Sequence, residues 1–139
     1  MAKQVLKNAY VSVDGTNLSD HVSSVTIEAN ADKVEFTSFG ATYREFGQGL
    51  KDANISIEVF QDYASASVDQ VIAPLHTSGG TFALIVRPDS AAKSATNPEY
   101  TMTARVFDYS PLNGAVGDAN TTSISFANAG TAGLARGTA

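Results

Sequence analysis

At 139 residues the chain has the length of one domain, and its 9 basic against 14 acidic side chains give a formal charge of −5. The absence of cysteine excludes disulfides and thiolate metal sites, and the acidic balance argues against a duplex-DNA binder that works by neutralising phosphates. With 43% hydrophobic and 17% charged residues, no membrane-length apolar run and no signal-like stretch behind Met1, it reads as a soluble, cytosol-made domain whose low-charge surface suits contact with other proteins.

Residues 10–13 read as a short strand stopped by the turn dipeptide Asp14-Gly15. From Val22 onward, Val25, Ile27 and Ala29 alternate with Ser24, Thr26 and Glu28. Asn30-Ala31-Asp32 interrupts, and Val34, Phe36 and Ser38 then alternate with Lys33, Glu35 and Thr37. Two half-buried runs across a short polar break predict a hairpin that turns at 30–32. Residues 39–52 hold Gly40, Gly47 and Gly49 with Phe39, Tyr43 and Phe46, and show no period. They predict a long loop of the functional or disordered kind, and the aromatics argue against plain disorder.

Alternation resumes with Ile55, Ile57 and Val59 opposite Asn54, Ser56 and Glu58. Val68, Val71, Ile72 and Leu75 then fall at i, i+3, i+4 and i+7, the apolar stripe of a helix. Ser67 and Gln70 have capping-box spacing, Pro74 predicts a kink or an end, and Gly79-Gly80 closes the element. Residues 81–87 read as a strand buried on both faces and ended by Pro88, and 91–98 as a turn-like segment. Residues 99–109 are the longest strand candidate, with Tyr100, Met102, Ala104 and Val106 on one side. Residues 110–120 form a loop around Pro111, Asn113-Gly114 and Gly117, and Ile124 and Phe126 mark the last strand. The expected fold is mainly β: a β-sandwich or barrel of about six or seven strands with one packed α-helix. An arm over 1–9, a body over 10–127 and a flexible arm over 128–139 complete the organisation, since Leu134 is the one apolar residue of any size in the tail.

Chemistry-bearing patterns are sparse. His21 and His76 lie on separate elements without metal-ligand spacing, and His76 next to the helix end is placed to meet free carbonyls. There is no Gly-x-Ser-x-Gly elbow. Gly47-Gln48-Gly49 begins like a dinucleotide fingerprint but lacks the third glycine and the βαβ unit. Asp14, Asn17 and Asp20 are spaced by three, not two as in a calcium loop. The sequons at Asn17, Asn54 and Asn120 have no secretion signal to give them meaning. Glu28, Glu35 and Glu58 suit outward strand positions better than acid–base catalysis. No enzyme, catalytic residue, cofactor or metal is expected. Low charge, an aromatic Gly-bearing loop and apolar-poor ends suit a subunit that orders these parts against copies of itself.

The succession Val11-Ser12-Val13-Asp14-Gly15 with Leu18-Ser19, then Val25-Thr26-Ile27-Glu28, then Val34-Glu35-Phe36-Thr37 with Phe39-Gly40, resembles the tail tube (major tail) proteins of long-tailed bacteriophages. The likeness continues through Tyr43-Arg44-Glu45-Phe46, Gly49-Leu50-Lys51-Asp52, the strand at 55–60 and the helix at 68–75. Val86-Arg87-Pro88, Asn97-Pro98-Glu99-Tyr100 and Gly114-Ala115-Val116-Gly117-Asp118 extend it, so that it spans 10–126. The order of the pieces carries the signal. The resemblance implies a β-sandwich or barrel flanked by a helix, assembling as hexameric rings stacked into a hollow tube in the virion after synthesis in the host bacterial cytoplasm. The implied partners are further copies of the chain, a tape measure protein in the lumen, and tail terminator and tail-tip proteins at the ends. Viral DNA would pass through without specific binding, and no membrane anchor is involved.

On that footing Phe39, Tyr43, Arg44 and Phe46 of the 39–52 loop are expected to contact neighbouring subunits, because aromatics and Arg dominate interface energetics. Glu28, Lys33, Glu35, Glu58 and Arg105, from the polar sides of four strands, are expected to face the lumen. Two alternatives stand beside this reading: another ring-forming virion component (a tail terminator or head-decoration protein), or a monomeric ligand-binding β-sandwich.

Overall fold

Period-two alternation covers most of the chain, and in the computed structural model, which describes residues 3–138, it becomes one eight-stranded antiparallel sheet with a single α-helix. The strands are β1 (Tyr10–Val13), β2 (Thr16–Asn17), β3 (Val22–Glu35), β4 (Phe46–Phe60), β5 (Phe82–Arg87), β6 (Glu99–Tyr109), β7 (Thr121–Asn128) and β8 (Ala135–Gly137). A 3₁₀ turn at Ser19–His21 precedes β3, and α1 covers Val68–Ser78. The sheet order is β2-β1-β5-β6-β7-β4-β3, with β8 paired to β6. The expected mainly-β class with one packed helix is what the chain adopts, as one continuous sheet.

Inward side chains from strands far apart in that order share one core. Val11, Ile55, Val59, Leu84, Ile124 and the helix residues Val68 and Ile72 are fully buried in it. Phe126 meets Phe82 edge-on, with ring centroids 5.7 Å apart. In β5 the residues Phe82, Leu84 and Val86 are buried while Ala83 is exposed, so the run at 81–87 is buried on one face and not on both. The helix runs past Pro74 to Ser78 and ends at Gly79, whose φ of 67° and N–H to the Leu75 carbonyl form the left-handed cap that glycine tolerates best. Ser67 stands at the N-cap, but its hydroxyl turns to Asp62 and caps no helix amide, so the capping box is not made.

The largest departure lies between 30 and 52. No turn forms at 30–32: β3 continues to Glu35, and residues 46–52, expected as loop, belong to β4. Ala31 pairs with Lys51 and Lys33 with Gln48, so the break is absorbed as a bulge with the extra residue on β4 near Gly49 and Leu50. Beyond Asn54, β4 leaves β7 and pairs with β3 alone, and past buried Ala53 this stem is exposed on both sides apart from half-buried Gly47. A strand with no buried face carries no period, which is why 46–52 looked structureless. The glycines there serve packing: a methyl on Gly47 would run into the Phe36 ring, and one on Gly49 would lie 3.0 Å from Val34 Cγ2 and 3.1 Å from Asp32 Cβ.

The tail expected to be flexible carries β8, where Ala135–Gly137 add to the stretch of β6 that β7 leaves open, and Leu134 packs against the core. Backbone pairing needs no apolar side chains, so composition hid it. Residues 1, 2 and 139 of the expected arms lie outside the described residues. Among the described residues, no helix is long and apolar enough to cross a membrane.

Candidate functional site

The register assembles one polar sheet face. Ser24 pairs with Glu58, Thr26 with Ser56 and Glu28 with Asn54. Across β4 and β7, Glu58 pairs with Ser123, Ser56 with Ser125 and Asn54 with Ala127, and Arg105 of β6 sits opposite Ala127. Alternation puts all of these on the side away from the core. Glu28, Glu58 and Arg105 are thus brought together as expected. Lys33 and Glu35 are not: because β3 never turns at 30–32, its alternation continues, and these two share the side of Ala29 and Ala31.

Two residues on the polar face went unread in the sequence. Val106 pairs with Phe126 and Asp108 with Ser125, so Phe107 and Asp108 both stand opposite Ser125 at a bulge. They line a shallow cleft with Glu28, Asn54 and Ser56. The signal was present: strict alternation would have sent Asp108 into the core, and a misplaced aspartate marks a register break. Across β3, β4, β7 and this half of β6, the face carries Glu28, Asp32, Asp52, Glu58 and Asp108 with Arg105 as the one cation, among short hydroxyls.

The hairpin ends in a tip. Phe36 N–H bonds the Glu45 carbonyl at 2.8 Å, Glu45 N–H bonds Thr37 Oγ1 at 2.9 Å, and Ala41 N–H reaches the Ser38 carbonyl at 3.3 Å around Gly40 at φ 84°. Phe39 and Tyr43 stand 108% and 86% exposed, and Arg44 is exposed beside them. Phe46 lies in the stem opposite Glu35, with Lys33 Nζ 3.9 Å above its ring, a cation–π contact within the chain.

At the other end of β4 a polar network holds the helix entrance and the loop 110–120. Asp62 Oδ2 accepts from Ser67 Oγ at 2.8 Å and meets His21 Nε2 at 3.0 Å, while Ser67 Oγ is 3.5 Å from that nitrogen. The residue types are those of a hydrolase triad, but the serine bonds the carboxylate directly and no imidazole stands between them to take its proton. The Ala64 N–H and the Ser67 hydroxyl hold the Asp62 carboxyl below its ordinary range, and the cluster ties the 3₁₀ turn before β3 to the start of α1. His76, expected to meet helix-end carbonyls, tilts instead against Tyr109 at 6.3 Å between ring centroids. Among the described residues no group of His, Asp and Glu is arranged to hold a metal.

Tyr109 donates to Asp69 Oδ1 at 2.7 Å and accepts from Gln61 Nε2 at 3.0 Å, and burial, then the Asp69 bond, push its phenol up to about 12. An unfolded tyrosine ionises near pH 10. The contribution of Tyr109 is therefore complete below pH 10 and lost as pH rises towards 12. Denaturant midpoints measured between pH 9 and 12 should fall more steeply for the wild type than for Tyr109→Phe.

No family model matches the chain, and no curated protein matches it. Solved structures do. A chain from the virion of a native gene transfer agent particle superposes with TM-score 0.74 at 20% identity, covering 96% of this chain and 98% of that one. A chain from the tail of an empty gene transfer agent particle with C6 symmetry gives 0.68 at 20% identity, covering 92% of each. A chain from the sheath/tube terminator structure of an extracellular contractile injection system gives 0.74 at 11% identity, covering 98% and 97%. What the three share with this chain is the fold. It is the fold of tail-tube and tube-terminator proteins.

Proposed function

We propose that this chain is a structural subunit of a phage-type tail tube, without catalytic chemistry. Copies stand side by side in rings of six, the rings stack into a hollow conduit, and the polar sheet face lines it. The conduit holds a tape measure protein and then passes viral DNA, with terminator and tail-tip proteins at its ends. The observation that carries this reading is the end-to-end likeness to a chain from a C6-symmetric tail. Lateral joining of sheets is favourable because it removes the free edges of β3 and β2.

An acidic, hydroxyl-rich wall repels phosphate over about 8 Å at physiological salt, enough to prevent sticking without blocking passage. Replacing Glu28, Glu58 and Asp108 together with Lys should leave assembly intact and make tubes retain DNA in a salt-dependent way, since each added cation can hold a phosphate. Retention is read by co-sedimentation of DNA with tubes. If an image of the assembled tube has these side chains on its outer surface, the lumen assignment is wrong.

A ring that caps a tube is the second reading, favoured by the equally high TM-score to the sheath/tube terminator chain. Electron microscopy of the purified protein separates the two: long tubes support the first, isolated rings the second, and a persistent monomer neither.

A further inference from the structure

Asn113 is the one asparagine of the chain that a glycine follows, and Asp14 the one aspartate. Either dipeptide can close a five-membered imide between its side-chain carbonyl carbon and the next backbone nitrogen. Glycine favours the ring, having no Cβ to hinder that nitrogen or to restrict the turn towards it. The fold separates the two. Asp14-Gly15 is the two-residue turn between β1 and β2, with φ of 50° and 81° set by the pairing of Val13 with Thr16, and the Asp14 N–H bonds the Ala83 carbonyl at 3.0 Å. Closing the ring there requires the hairpin to open.

Asn113-Gly114 lies in the 110–120 loop, exposed at both residues and outside any strand, helix or turn. Among the described residues no backbone hydrogen bond engages either one. The loop is pinned on both sides of the pair. Gln61 Nε2 bonds the Pro111 carbonyl at 2.7 Å, the Tyr63 and Thr122 hydroxyls bond the Pro111 and Ser110 carbonyls, and the Gln61 N–H bonds the Asn120 carbonyl at 2.8 Å. These anchors hold the loop to the domain and leave the Asn113-Gly114 backbone unrestrained between them. The other asparagines lack this combination. Each precedes a residue with a Cβ or, for Asn97, Pro98 with no N–H to lose, and the side chains of Asn17 and Asn97 are held in hydrogen bonds.

We propose that Asn113 is a modification site, deamidating spontaneously through a succinimide in the folded protein. The Gly114 nitrogen attacks Asn113 Cγ. The N–Cγ bond forms, the Cγ–Nδ2 bond breaks, and ammonia leaves with the proton that the Gly114 nitrogen gives up. Water then opens the ring at either carbonyl: at Cγ it leaves aspartate, at the α-carbonyl isoaspartate. Both products turn a neutral amide into a carboxylate, one negative charge beyond the −5 of the fresh chain, in a loop whose sole charged residue is Asp118. The new charge stands on the segment that displays Leu112 and Val116, 78% and 107% exposed. Since the ammonia is lost, the change runs one way, and the charge of this surface records the age of the molecule. The site does not depend on whether copies assemble.

The full chain, held in warm, mildly alkaline buffer for a series of days, is read by ion exchange, by peptide mapping in a mass spectrometer, and with a protein-isoaspartate methyltransferase as the probe for isoaspartate. Expected is a more acidic species whose gain of about one mass unit maps to Asn113, with isoaspartate at that position. Asn113→Gln should abolish it. Gly114→Ala should slow it about tenfold or more, because a Cβ hinders the attacking nitrogen. That Cβ would lie 3.6 Å from the Ala119 carbonyl oxygen, an ordinary contact, so the variant keeps the fold. In denaturant Asp14 should also yield isoaspartate, and in the folded chain it should not. Asn113 left intact after ageing overturns the proposal. So does conversion to aspartate without isoaspartate, which marks direct hydrolysis, or an undiminished rate in Gly114→Ala. Isoaspartate forming at Asp14 of the folded chain as fast as at Asn113 overturns the selection by the fold.

Discussion

Replacing Phe39 and Tyr43 together with Ser yields a folded protein that no longer polymerises. Both rings stand almost wholly in solvent, so the isolated chain loses little; surface changes away from special features stay within about 0.5 kcal/mol. In an interface the same rings are anchors, and truncating a buried aromatic anchor typically costs about 2 kcal/mol or more. Two per contact amount to roughly 4 kcal/mol, close to a thousandfold in the concentration at which chains associate. Sedimentation across a concentration series reads the shift, and the thermal melt of the monomer should not move. Undiminished tubes from this variant would remove the tip from the assembly.

Phe126→Ala has the opposite profile, destroying the monomer. Phe126 is 1% exposed, sits in β7 between Ile55 of β4 and Val106 of β6, and meets Phe82 edge-on. Truncating such a side chain costs about 3–5 kcal/mol in lost burial and residual cavity. A domain of this size has only roughly 5–15 kcal/mol in total. The urea midpoint should fall by about a fifth or more, and the variant should bind hydrophobic dyes at concentrations where the wild type does not. A change within experimental error would mean that β7 is not the centre of the core.

Elements with one buried face were legible. Ile55, Ile57 and Val59 announced their strand, and Val68, Val71, Ile72 and Leu75 their helix, because burial against a core imposes a period on sequence. The stem at 46–52 was not legible, having no buried face to impose one. Nor was β8, which is held through backbone bonds that composition does not record. The polar sheet face divided the same way. Alternation put Glu28, Glu58 and Arg105 on one side of the sheet, whereas Lys33 and Glu35 lie on the other side because Asn30-Ala31-Asp32 has the chemistry of a turn and the conformation of a strand. The pattern did hold one clue: the apolar positions shift from odd to even numbers across that break. The shift records a change in which side of β3 is apolar, from the core side at Val25 and Ile27 to the opposite side at Val34 and Phe36.

The extra residue that β4 carries at Gly49 and Leu50 makes the stem a lever whose aim can be altered by a deletion. Removing Leu50 would leave Ala31 opposite Lys51 and Lys33 opposite Gln48, so no cross-strand pair would change partners. What would change is the local bend and twist that a bulge imposes. From Lys33 to Phe39 the chain reaches about 20 Å, so each 10° of bend swings the tip by about 3–4 Å. In lineages sharing this fold, single-residue gaps at this one position would re-aim the hairpin tip while the domain beneath stayed as it was.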